Sequence, residues 1–375
     1  MARHRIAWMP GDGIGQDVIE AARLALDALG LDYEAVPVDV GWDCWCREGD
    51  PLPERSVALL RELPVALFGA ITSKPAAEAE AELAPELRGQ GFVYRSPIVR
   101  LRQEFQLAVN LRPAKSIPHN PLNARDDIDL VVFRENTEDL YAGLEYHPVP
   151  DGLRAVLSEH PRWAPFTDVP ADEIALSLRV TTRPGCTRIL RAAFEYARSN
   201  ARKRVTVVEK PNVLRETSGL MVRIARELAL EYPELELREA NVDAFAMELV
   251  RAPQEQDVVV STNLFGDIVS DLAAQLVGGL GCAPSANLGA EFALFEPIHG
   301  SAPDLAGTGR ANPIGMLGST VMLLDHLEET DAARHLEAAL TATVADGTVR
   351  TPDMGGTHTT MELAAEVTRR IGEQD

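Results

Sequence analysis

Residues 4–30 read HRIAWMPGDGIGQDVIEAARLALDALG, and this stretch decides the fold class. Residues 4–9 are mostly apolar and predict a short buried strand. The glycine-rich GDGIG that follows is typical of a tight turn. Residues 16–30 then repeat apolar side chains at the spacing of an amphipathic helix that ends at Gly30. A buried strand that leads through a turn into a helix is the building unit of α/β folds.

Strand and helix signals alternate along the rest of the chain. Apolar, β-branched runs predict buried strands at residues 65–71, 127–136, 204–210 and 257–262. Amphipathic helices are predicted between them, with clear examples at residues 187–200 and 220–232. This alternation predicts an α/β fold with a largely parallel sheet.

Two stretches interrupt the alternation. Residues 73–90 are rich in Ala and Glu and predict either a helix or a mobile loop. Residues 146–172 are rich in proline and lack a regular pattern. We interpret this second stretch as an insertion or an arm.

Composition and charge exclude several classes of function. The 375 residues suggest about two domains, and the 46% hydrophobic and 25% charged content is ordinary for a globular protein. The net charge of −21 argues against nucleic acid or an anionic membrane as a partner, because both need a basic surface. The four cysteines form no Cys-x-x-Cys pair, which argues against a thiolate metal site. Because we find neither a membrane-length apolar run nor a signal peptide, we expect a cytoplasmic enzyme.

The GDGIG turn imitates a dinucleotide-binding fingerprint without matching it. Its glycines follow the spacing G-x-G-x-G, whereas the fingerprint is G-x-G-x-x-G. No strand that ends in an acidic residue follows at the required distance, apart from Asp32 and Glu34 just after the helix. The sequence therefore favours a structural turn, and a plain NAD-binding module built on GDGIG is the alternative.

Residues 262–279, TNLFGDIVSDLAAQLVGG, place Asp267 and Asp271 on one face of a predicted helix. Two neighbouring carboxylates repel unless a cation lies between them, and oxygen ligands suit Mg²⁺ or Mn²⁺. Asp243, in the apolar context NVDAFAMELV, is a candidate third ligand. A solvated acidic face is the alternative, but the apolar and small flanking residues favour a packed helix with a metal site.

Arginines form a second candidate group. Arg102 and Arg112 lie among apolar residues in SPIVRLRQEFQLAVNLRPAK, and Arg134 directly follows the predicted strand LVVF. Buried guanidinium groups need anionic partners, and convergent arginines bind carboxylates in bidentate geometry. Together the three predict a carboxylate-binding pocket, although a structural salt bridge explains each one alone equally well.

Tyr141 and Lys210 are candidate acid–base residues, although either alone is weak evidence. Lys210 ends a predicted buried strand, where partial desolvation would favour the neutral amine. Farther along, LFEPIHGSAPDLAGTGRANP at residues 294–313 predicts a functional loop that is dense in Gly, Pro and polar residues. Backbone amides around Gly300 and Ser301 would cradle a phosphate, and Asp304 would accept hydrogen bonds from a ribose diol and repel a 2′-phosphate.

Together these segments resemble the isocitrate/isopropylmalate dehydrogenase family of β-decarboxylating dehydrogenases. The motifs GDGIG, LRP, REN-T-E, K-x-NVL, N-L-x-GD-x-x-SDL and EP-x-HGSAPD-x-AG-x-x-x-ANP occur in the family's order and span essentially the whole chain. The resemblance implies a two-domain α/β fold that is not a Rossmann fold, with the active site in the interdomain cleft. Residues 1–107 and 278–375 would form the large cofactor-binding domain, and residues 108–277 the small domain with the substrate and metal residues and the dimer interface.

The resemblance also implies residue roles in an oxidative decarboxylation. The malate carboxylates would be held by Arg102, Arg112 and Arg134. The metal ion, Mg²⁺ or Mn²⁺, would be bound by Asp267, Asp271 and the catalytic Asp243, the last donated by the neighbouring subunit of a homodimer or larger assembly. The acid–base residues would be Lys210, which takes the hydroxyl proton and is also donated by the neighbour, and Tyr141, which protonates C3 of the enol.

Cofactor-binding positions of the family match His299, Gly300, Ser301, Ala302, Asp304 and Asn312. Relatives that depend on NADP carry Lys-Tyr where this chain has Asp304 and Leu305, so the resemblance implies NAD. Some relatives are non-catalytic regulatory subunits that lose catalytic or metal residues. This chain keeps all of those residues, which favours an enzyme.

In the family that the chain resembles, substrate choice is set by the residues just before the first arginine, which is Arg102 here. Ser96 matches the serine that isocitrate enzymes place beside the γ-carboxylate, whereas Ile98 stands where those enzymes have asparagine. Arg100 is placed either to pair with a distal acid group or to face solvent. The sequence RENTEDLYAG, in place of the RELTGG of isopropylmalate enzymes, resembles isocitrate, homoisocitrate and tartrate/D-malate enzymes, and of these we expect isocitrate or homoisocitrate. Tartrate or D-malate, 3-isopropylmalate and a specialised analogue are the alternatives.

Overall fold

The computed structural model describes residues 2–373, in which strands and helices alternate as the sequence predicts. In chain order the strands are β1 (His4–Gly11), β2 (Tyr33–Pro37), β3 (Val65–Ala70), β4 (Val109–Lys115), β5 (Asp129–Glu135), β6 (Glu145–Tyr146), β7 (Leu176–Ser177), β8 (Arg204–Glu209), β9 (Glu236–Asn241), β10 (Val258–Ser261), β11 (Pro284–Leu288) and β12 (Ala293–Pro297). The strands predicted from the sequence are confirmed as β1, β3, β5, β8 and β10.

The α-helices, again in chain order, are α1 (Gly15–Ala28), α2 (Trp42–Glu48), α3 (Glu54–Leu60), α4 (Ala76–Ala81), α5 (Pro97–Glu104), α6 (Asp151–Ser158), α7 (Arg183–Ser199), α8 (Thr217–Ala229), α9 (Val242–Arg251), α10 (Asn263–Leu276), α11 (Ile314–His326), α12 (Thr330–Asp346) and α13 (Thr360–Ile371). The three helices predicted in detail are confirmed as α1, α7 and α8. None of the helices in the part of the chain that the structure describes has the length and hydrophobicity needed to cross a membrane.

Ten of the described strands form one sheet, in the order β2-β1-β3-β12-β11-β4-β5-β10-β8-β9. Strand β11 runs antiparallel to β12 and β4, and β4 runs antiparallel to β5, whereas all other neighbours in this sheet are parallel. The predicted α/β fold with a largely parallel sheet is therefore confirmed. Its strand order is not that of a Rossmann fold.

Helices cover both faces of the sheet, because successive residues of a strand point in opposite directions. In β1, Ile6 and Trp8 pack into a core with α1, α11, α12 and α13. Ala7 and Met9 of the same strand pack into a different core with α3. At the other end of the sheet, Val258 and Val260 of β10 face α7 and α8, while Val259 faces α9 and α10.

The parallel strands β5, β10 and β8 end at the same edge of the sheet. Arg134 lies in the last part of β5, Lys210 directly follows β8, and helix α10 begins directly after β10. The carboxyl ends of parallel strands are where α/β folds bind ligands. The topology therefore brings three of the predicted functional segments to one place.

The two irregular stretches take different forms. Residues 73–90 contain the short helix α4 followed by turns. Residues 146–172 lie between β6 and β7, which pair with each other apart from the main sheet, and no residue of helix α6 in this stretch is buried. We keep the interpretation of this stretch as an arm.

The domain division that we expect from the resemblance falls inside the main sheet. β4, in the segment 108–277, pairs with β11, in the segment 278–375, so the sheet continues across the boundary. The division into two domains stays a prediction.

Candidate active site

Arg134 is almost completely buried at the carboxyl end of β5. Its Nε and Nη2 donate to Oδ1 of Asn263 at 3.0 and 2.8 Å, and its Nη1 forms an ion pair with Asp267. Gly266 permits this close approach, because a Cβ at that position would lie 2.9 Å from Cγ of Arg134. The small residue in the sequence NLFGD thus lets α10 pack directly against the arginine.

Arg112 of β4 and Arg102 of α5 converge on the same region. Nη1 of Arg112 contacts carboxylate oxygens of Asp267 at 3.3 Å and of Asp271 at 2.9 Å. Arg102 pairs instead with Glu296 at 3.3 Å. Burial lowers the pKa of Arg102 despite the opposing effect of Glu296, and the positive charge of Arg112 lowers it further.

Two asparagines connect these arginines across the β4–β11 pair. Asn110 and Asn287 lie opposite each other in the two strands, and Nδ2 of Asn110 donates to Oδ1 of Asn287 at 3.1 Å. Nε of Arg112 donates to Asn110 at 2.6 Å, and Nε of Arg102 donates to Asn287 at 3.1 Å. The structure therefore brings the three predicted arginines into one buried polar cluster.

Tyr141 belongs to the same cluster. Its Oη donates to Oδ2 of Asp267 at 2.6 Å, and the guanidinium carbon of Arg134 lies 4.9 Å from the centre of its ring. Burial raises the pKa of Tyr141, and the hydrogen bond to Asp267 raises it further. The phenol therefore stays protonated at neutral pH and can act as a proton donor.

The predicted metal ligands Asp267 and Asp271 differ in their electrostatics. Burial alone would raise the pKa of Asp267, but the charges of Arg134 and Arg112 outweigh burial and lower it. The pKa of Asp271 is raised, first by burial, although Arg112 opposes this, and then by the charge of Asp267. Both carboxylates project from successive turns of α10, and oxygen donors of this kind fit Mg²⁺ or Mn²⁺.

Lys210 and Asp243 form a separate pair. Nζ of Lys210 donates to Oδ1 of Asp243 at 2.6 Å, and the side chain of Asp243 is largely exposed at the start of α9. Within residues 2–373, no group of three or more His, Cys, Asp or Glu side chains is placed to hold a metal ion. One chain therefore does not bring Asp243 to Asp267 and Asp271, a possibility that the spacing of the sequence left open.

The GDGIG turn packs against the predicted cofactor loop. The backbone N–H of Ile14 donates to the carbonyl of Ser301 at 2.8 Å, and a Cβ on Gly13 would lie only 2.1 Å from that same oxygen. Oγ1 of Thr72 also donates to Oγ of Ser301 at 2.7 Å. The turn thus acts as structural support for the loop.

The other predicted cofactor residues lie along the same loop. Nε2 of His299 is buried without a hydrogen-bond partner among the described residues, and burial lowers the pKa of this imidazole. Gly300 and Asp304 are exposed, and Ala302 has a left-handed backbone conformation with φ of 36°. Asn312 is buried, and its Nδ2 donates to Asp353 at 2.9 Å.

The region expected to choose the substrate lies at the start of α5. Ser96 precedes the helix, and its hydroxyl makes no capping hydrogen bond. Ile98 packs against the core beside β1 and β3. Nη1 of Arg100 contacts both oxygens of Asp50, at 3.2 and 3.1 Å, so it is already paired rather than reserved for a distal acid group or turned to solvent.

Sequence reasoning missed the residues that orient this site. Asn263 and Glu296 stand inside motifs quoted above, so the motifs themselves were a signal for them. Thr72 and Asn287 have no such signal, because their partners lie far away in the chain and only the sheet brings them together.

The fold and the site define an α/β protein with an arginine-lined, carboxylate-bearing centre, and comparisons identify its family. The family described as isocitrate/isopropylmalate dehydrogenase matches residues 5–371. The chain is 43% identical to the 3-isopropylmalate dehydrogenase of Methanothermobacter thermautotrophicus, over 99% of each chain. It is 41% identical to an isocitrate/homoisocitrate dehydrogenase of Thermus thermophilus, over 98% of each. The crystal structure of an isocitrate dehydrogenase from Methylococcus capsulatus aligns with a TM-score of 0.85 and 40% identity, over 98% of this chain and 99% of that one.

The chain therefore belongs to the isocitrate/isopropylmalate dehydrogenase family, and the resemblance inferred from its motifs is confirmed. It is an oxidoreductase, a decarboxylating dehydrogenase. Its relatives are named for 3-isopropylmalate, isocitrate and homoisocitrate, so family membership does not choose among these substrates.

Proposed function

We propose that the protein catalyses the NAD-dependent oxidative decarboxylation of a 3-substituted malate, with isocitrate or homoisocitrate as the substrate. The convergence of the three arginines on Asp267 and Tyr141 carries this proposal. One cluster thereby offers binding groups for an anionic substrate, ligands for a cation and a proton donor.

The arginines Arg102, Arg112 and Arg134 would bind the substrate carboxylates. In the chain alone, Arg112 and Arg134 both pair with Asp267, and Arg112 also pairs with Asp271. With Asp267 and Asp271 engaged by Mg²⁺ or Mn²⁺, these guanidinium groups would be released to hold carboxylates in bidentate geometry. Because the arginines are buried, an uncompensated charge there is costly, which favours binding of an anionic substrate.

The donor set supports a divalent cation. Asp267 and Asp271 supply oxygen ligands from one helix face, and the side chain of Asp271 is half exposed. Asp243 of a second subunit would complete the set. When bound, the cation would act as a Lewis acid on the hydroxyl and carboxylate oxygens of the substrate.

Lys210 and Tyr141 would divide the proton transfers between them. Lys210, donated by the neighbouring subunit together with Asp243, would take the proton of the 2-hydroxyl as hydride leaves C2. After CO₂ is lost, Tyr141 would give a proton to C3. The raised pKa of Tyr141 supports its role as the acid, because the phenol is protonated when the reaction needs it.

Cofactor binding would use His299, Gly300, Ser301, Ala302, Asp304 and Asn312, with NAD as the hydride acceptor. The buried Nε2 of His299, which has no partner among residues 2–373, supports a ligand at this loop. The exposed carboxylate of Asp304 supports NAD over NADP, because it would accept from a ribose diol and repel a 2′-phosphate.

We also propose that the protein forms a homodimer or larger assembly in which subunits share active sites. Met247 and Val250 of α9 and Ile268 of α10 are 73%, 63% and 58% exposed, and the two helices pack side by side. Large apolar side chains on neighbouring helices are typical of a face that a partner covers. Asp243 begins the same helix α9, so this face would carry it toward a second copy.

Two observations bear on substrate choice. The hydroxyl of Ser96, which makes no capping hydrogen bond, supports a distal carboxylate, as in isocitrate and homoisocitrate. The name of the Methanothermobacter relative instead favours 3-isopropylmalate, the second candidate. Tartrate and D-malate are further candidates that rest on the sequence alone.

The deciding experiment measures NADH and NADPH formation by the purified chain with Mn²⁺, with EDTA as the control. The panel contains isocitrate, homoisocitrate, 3-isopropylmalate, D-malate and tartrate. We expect NADH formation with isocitrate or homoisocitrate that EDTA abolishes. Preference for another acid would reassign the substrate, and silence across the whole panel would favour a specialised substrate or a regulatory subunit.

A further inference from the structure

Arg179 lies outside every motif that the sequence analysis singled out. It follows β7, and its side chain is only 12% exposed. Nε contacts Oδ1 of Asp139 at 2.5 Å, and Nη2 contacts Oε2 of Glu209 at 3.4 Å. Nη2 also donates to Oγ1 of Thr262 at 2.5 Å. Nη1 donates to Oγ of Ser218 in α8 at 3.3 Å. The same guanidinium group therefore joins the three separate segments that contain Asp139, Glu209 and Thr262.

Each of these segments carries a residue of the proposed chemistry. Asp139 lies two residues before Tyr141, and Glu209 directly precedes Lys210. Thr262 directly precedes α10, the helix that carries both metal-ligand aspartates. Arg179 contacts none of the proposed substrate or metal residues. Any effect of Arg179 on the reaction must therefore come from holding other residues in place.

The contacts of Arg179 are electrostatically important. Asp139 and Glu209 are 1% and 0% exposed, and in the described part of the chain Arg179 is the only basic side chain that forms an ion pair with either. Removing its charge would leave two buried carboxylates without a cation. Their remaining partners are neutral donors, such as the backbone N–H of Leu264 for Asp139 and that of Thr262 for Glu209.

The backbone at Asp139 is strained. This residue has φ of 68° and ψ of −142°, a backbone conformation that residues other than glycine rarely adopt. Its N–H donates to the carbonyl of Val180, the residue after Arg179, at 2.8 Å. The segment around Arg179 therefore holds Asp139 through both backbone and side chain, immediately before the turn that presents Tyr141.

We propose that Arg179 is a positioning residue that holds Tyr141, Lys210 and the aspartate-bearing helix in their relative places. The inference rests on the proposed function for the roles of those residues. If Lys210 serves the neighbouring subunit while Tyr141 and α10 serve their own, the same guanidinium group also links the two active sites of a dimer.

The test compares Arg179→Met and Arg179→Lys with a matched control, Arg183→Met, which removes an exposed arginine whose ion pair among residues 2–373 is with Glu227. We expect Arg179→Met to lower kcat on the order of 10- to 100-fold, because displaced catalytic groups slow the chemical step. Arg179→Lys should recover part of this loss, and the control should match wild type. A slower chemical step should also raise the primary isotope effect with C2-deuterated substrate. A smaller folded fraction would leave that isotope effect unchanged and would overturn the proposal.

Hydrogen–deuterium exchange provides a readout that needs no substrate. We expect the segments 137–142, 206–211 and 262–266 to lose protection together in Arg179→Met, while β1 and β3 keep theirs. Retention of wild-type exchange in the three segments would overturn the positioning role. If wild type turns over no acid in the panel, the proposed function fails, and the exchange experiment still decides the role of Arg179.

Discussion

Asp267 and Asp271 lie one helical turn apart, and their surroundings shift their pKa values in opposite directions. The lowered pKa of Asp267 means that its carboxylate contributes stability above its unfolded pKa, which is lost as pH falls through the folded value. Because the pKa of Asp271 is raised, its contribution to stability has the opposite pH dependence. That contribution is present below the unfolded pKa and is lost as pH rises through the folded value. The ionised carboxylate of Asp271 therefore lowers the stability of the protein, whereas that of Asp267 raises it.

The two aspartates should respond differently to substitution. We expect Asp267→Asn to destabilise the metal-free protein by about 2–4 kcal/mol, because the buried Arg112 and Arg134 lose an anionic partner. Asp271→Asn should leave the metal-free protein at least as stable as wild type at neutral pH, but should abolish the stabilisation by Mn²⁺. Thermal unfolding with Mn²⁺ and with EDTA measures both effects, and a full Mn²⁺ response in Asp271→Asn would contradict the metal assignment.

At the scale of elements, the turn between β1 and α1 supports a distant loop. Gly11 and Gly13 have φ of 67° and 55°, and added Cβ atoms would lie 2.0 Å from the carbonyl of Ala70 and 2.1 Å from that of Ser301. The glycines are therefore required by backbone conformation and by close packing. This explains how a near-copy of a dinucleotide fingerprint arises in a sheet that is not a Rossmann fold.

Gly13→Ala tests this turn, and Gly30→Ala, after the far end of α1, is its control. Both positions have positive φ, but only Gly13 has a neighbour, since a Cβ on Gly30 would meet nothing within 4 Å. We expect Gly30→Ala to cost about 1 kcal/mol of unfolding free energy and to leave the KM for NAD unchanged. Gly13→Ala should cost more and raise that KM, because it displaces Ser301. Equal losses of stability with an unchanged KM would show that the turn does not support the cofactor loop.

At the scale of the whole molecule, one chain brings the predicted site residues together in two separate groups. Tyr141, Asp267 and Asp271 lie in one cluster, while Lys210 and Asp243 form a pair of their own on the side of the exposed apolar face. Sharing residues between subunits would bring the two groups together without any change in fold. A monomer should then be inactive.

Mixed dimers test this sharing directly. Lys210→Met and Tyr141→Phe proteins should each have low activity, because each lacks one proton-transfer group at every site. If Lys210 is donated in trans, a mixed dimer contains one intact site, so unfolding and refolding an equal mixture should restore about a quarter of wild-type activity. If both residues act within one chain, mixing should restore no activity, and Asp243 and Lys210 would need another explanation.

Much of the fold was predictable because its signals are local. The strands and helices follow from apolar periodicity, and the strands β3, β5, β8 and β10 have apolar centres and are buried along nearly their whole length, as in a sheet that is covered on both faces. The antiparallel strand β4 was not predicted, because polar residues and Pro113 leave it no continuous apolar run. Its place in the sheet depends on pairing with distant strands.

The candidate site, like the fold, was only partly predictable from the sequence. The sequence alone determined the family, the α/β class and the residue types that the chemistry needs. Motif order and local periodicity can be read directly from the chain, without knowledge of the fold. Only the tertiary structure decided that Asn263, Asn287 and Glu296 hold the arginines, that Arg100 is already paired with Asp50, and that Arg179 joins three segments. These contacts connect residues far apart in the chain, and the physical reason is that burial of a charge requires a partner, whichever strand or helix the fold places beside it.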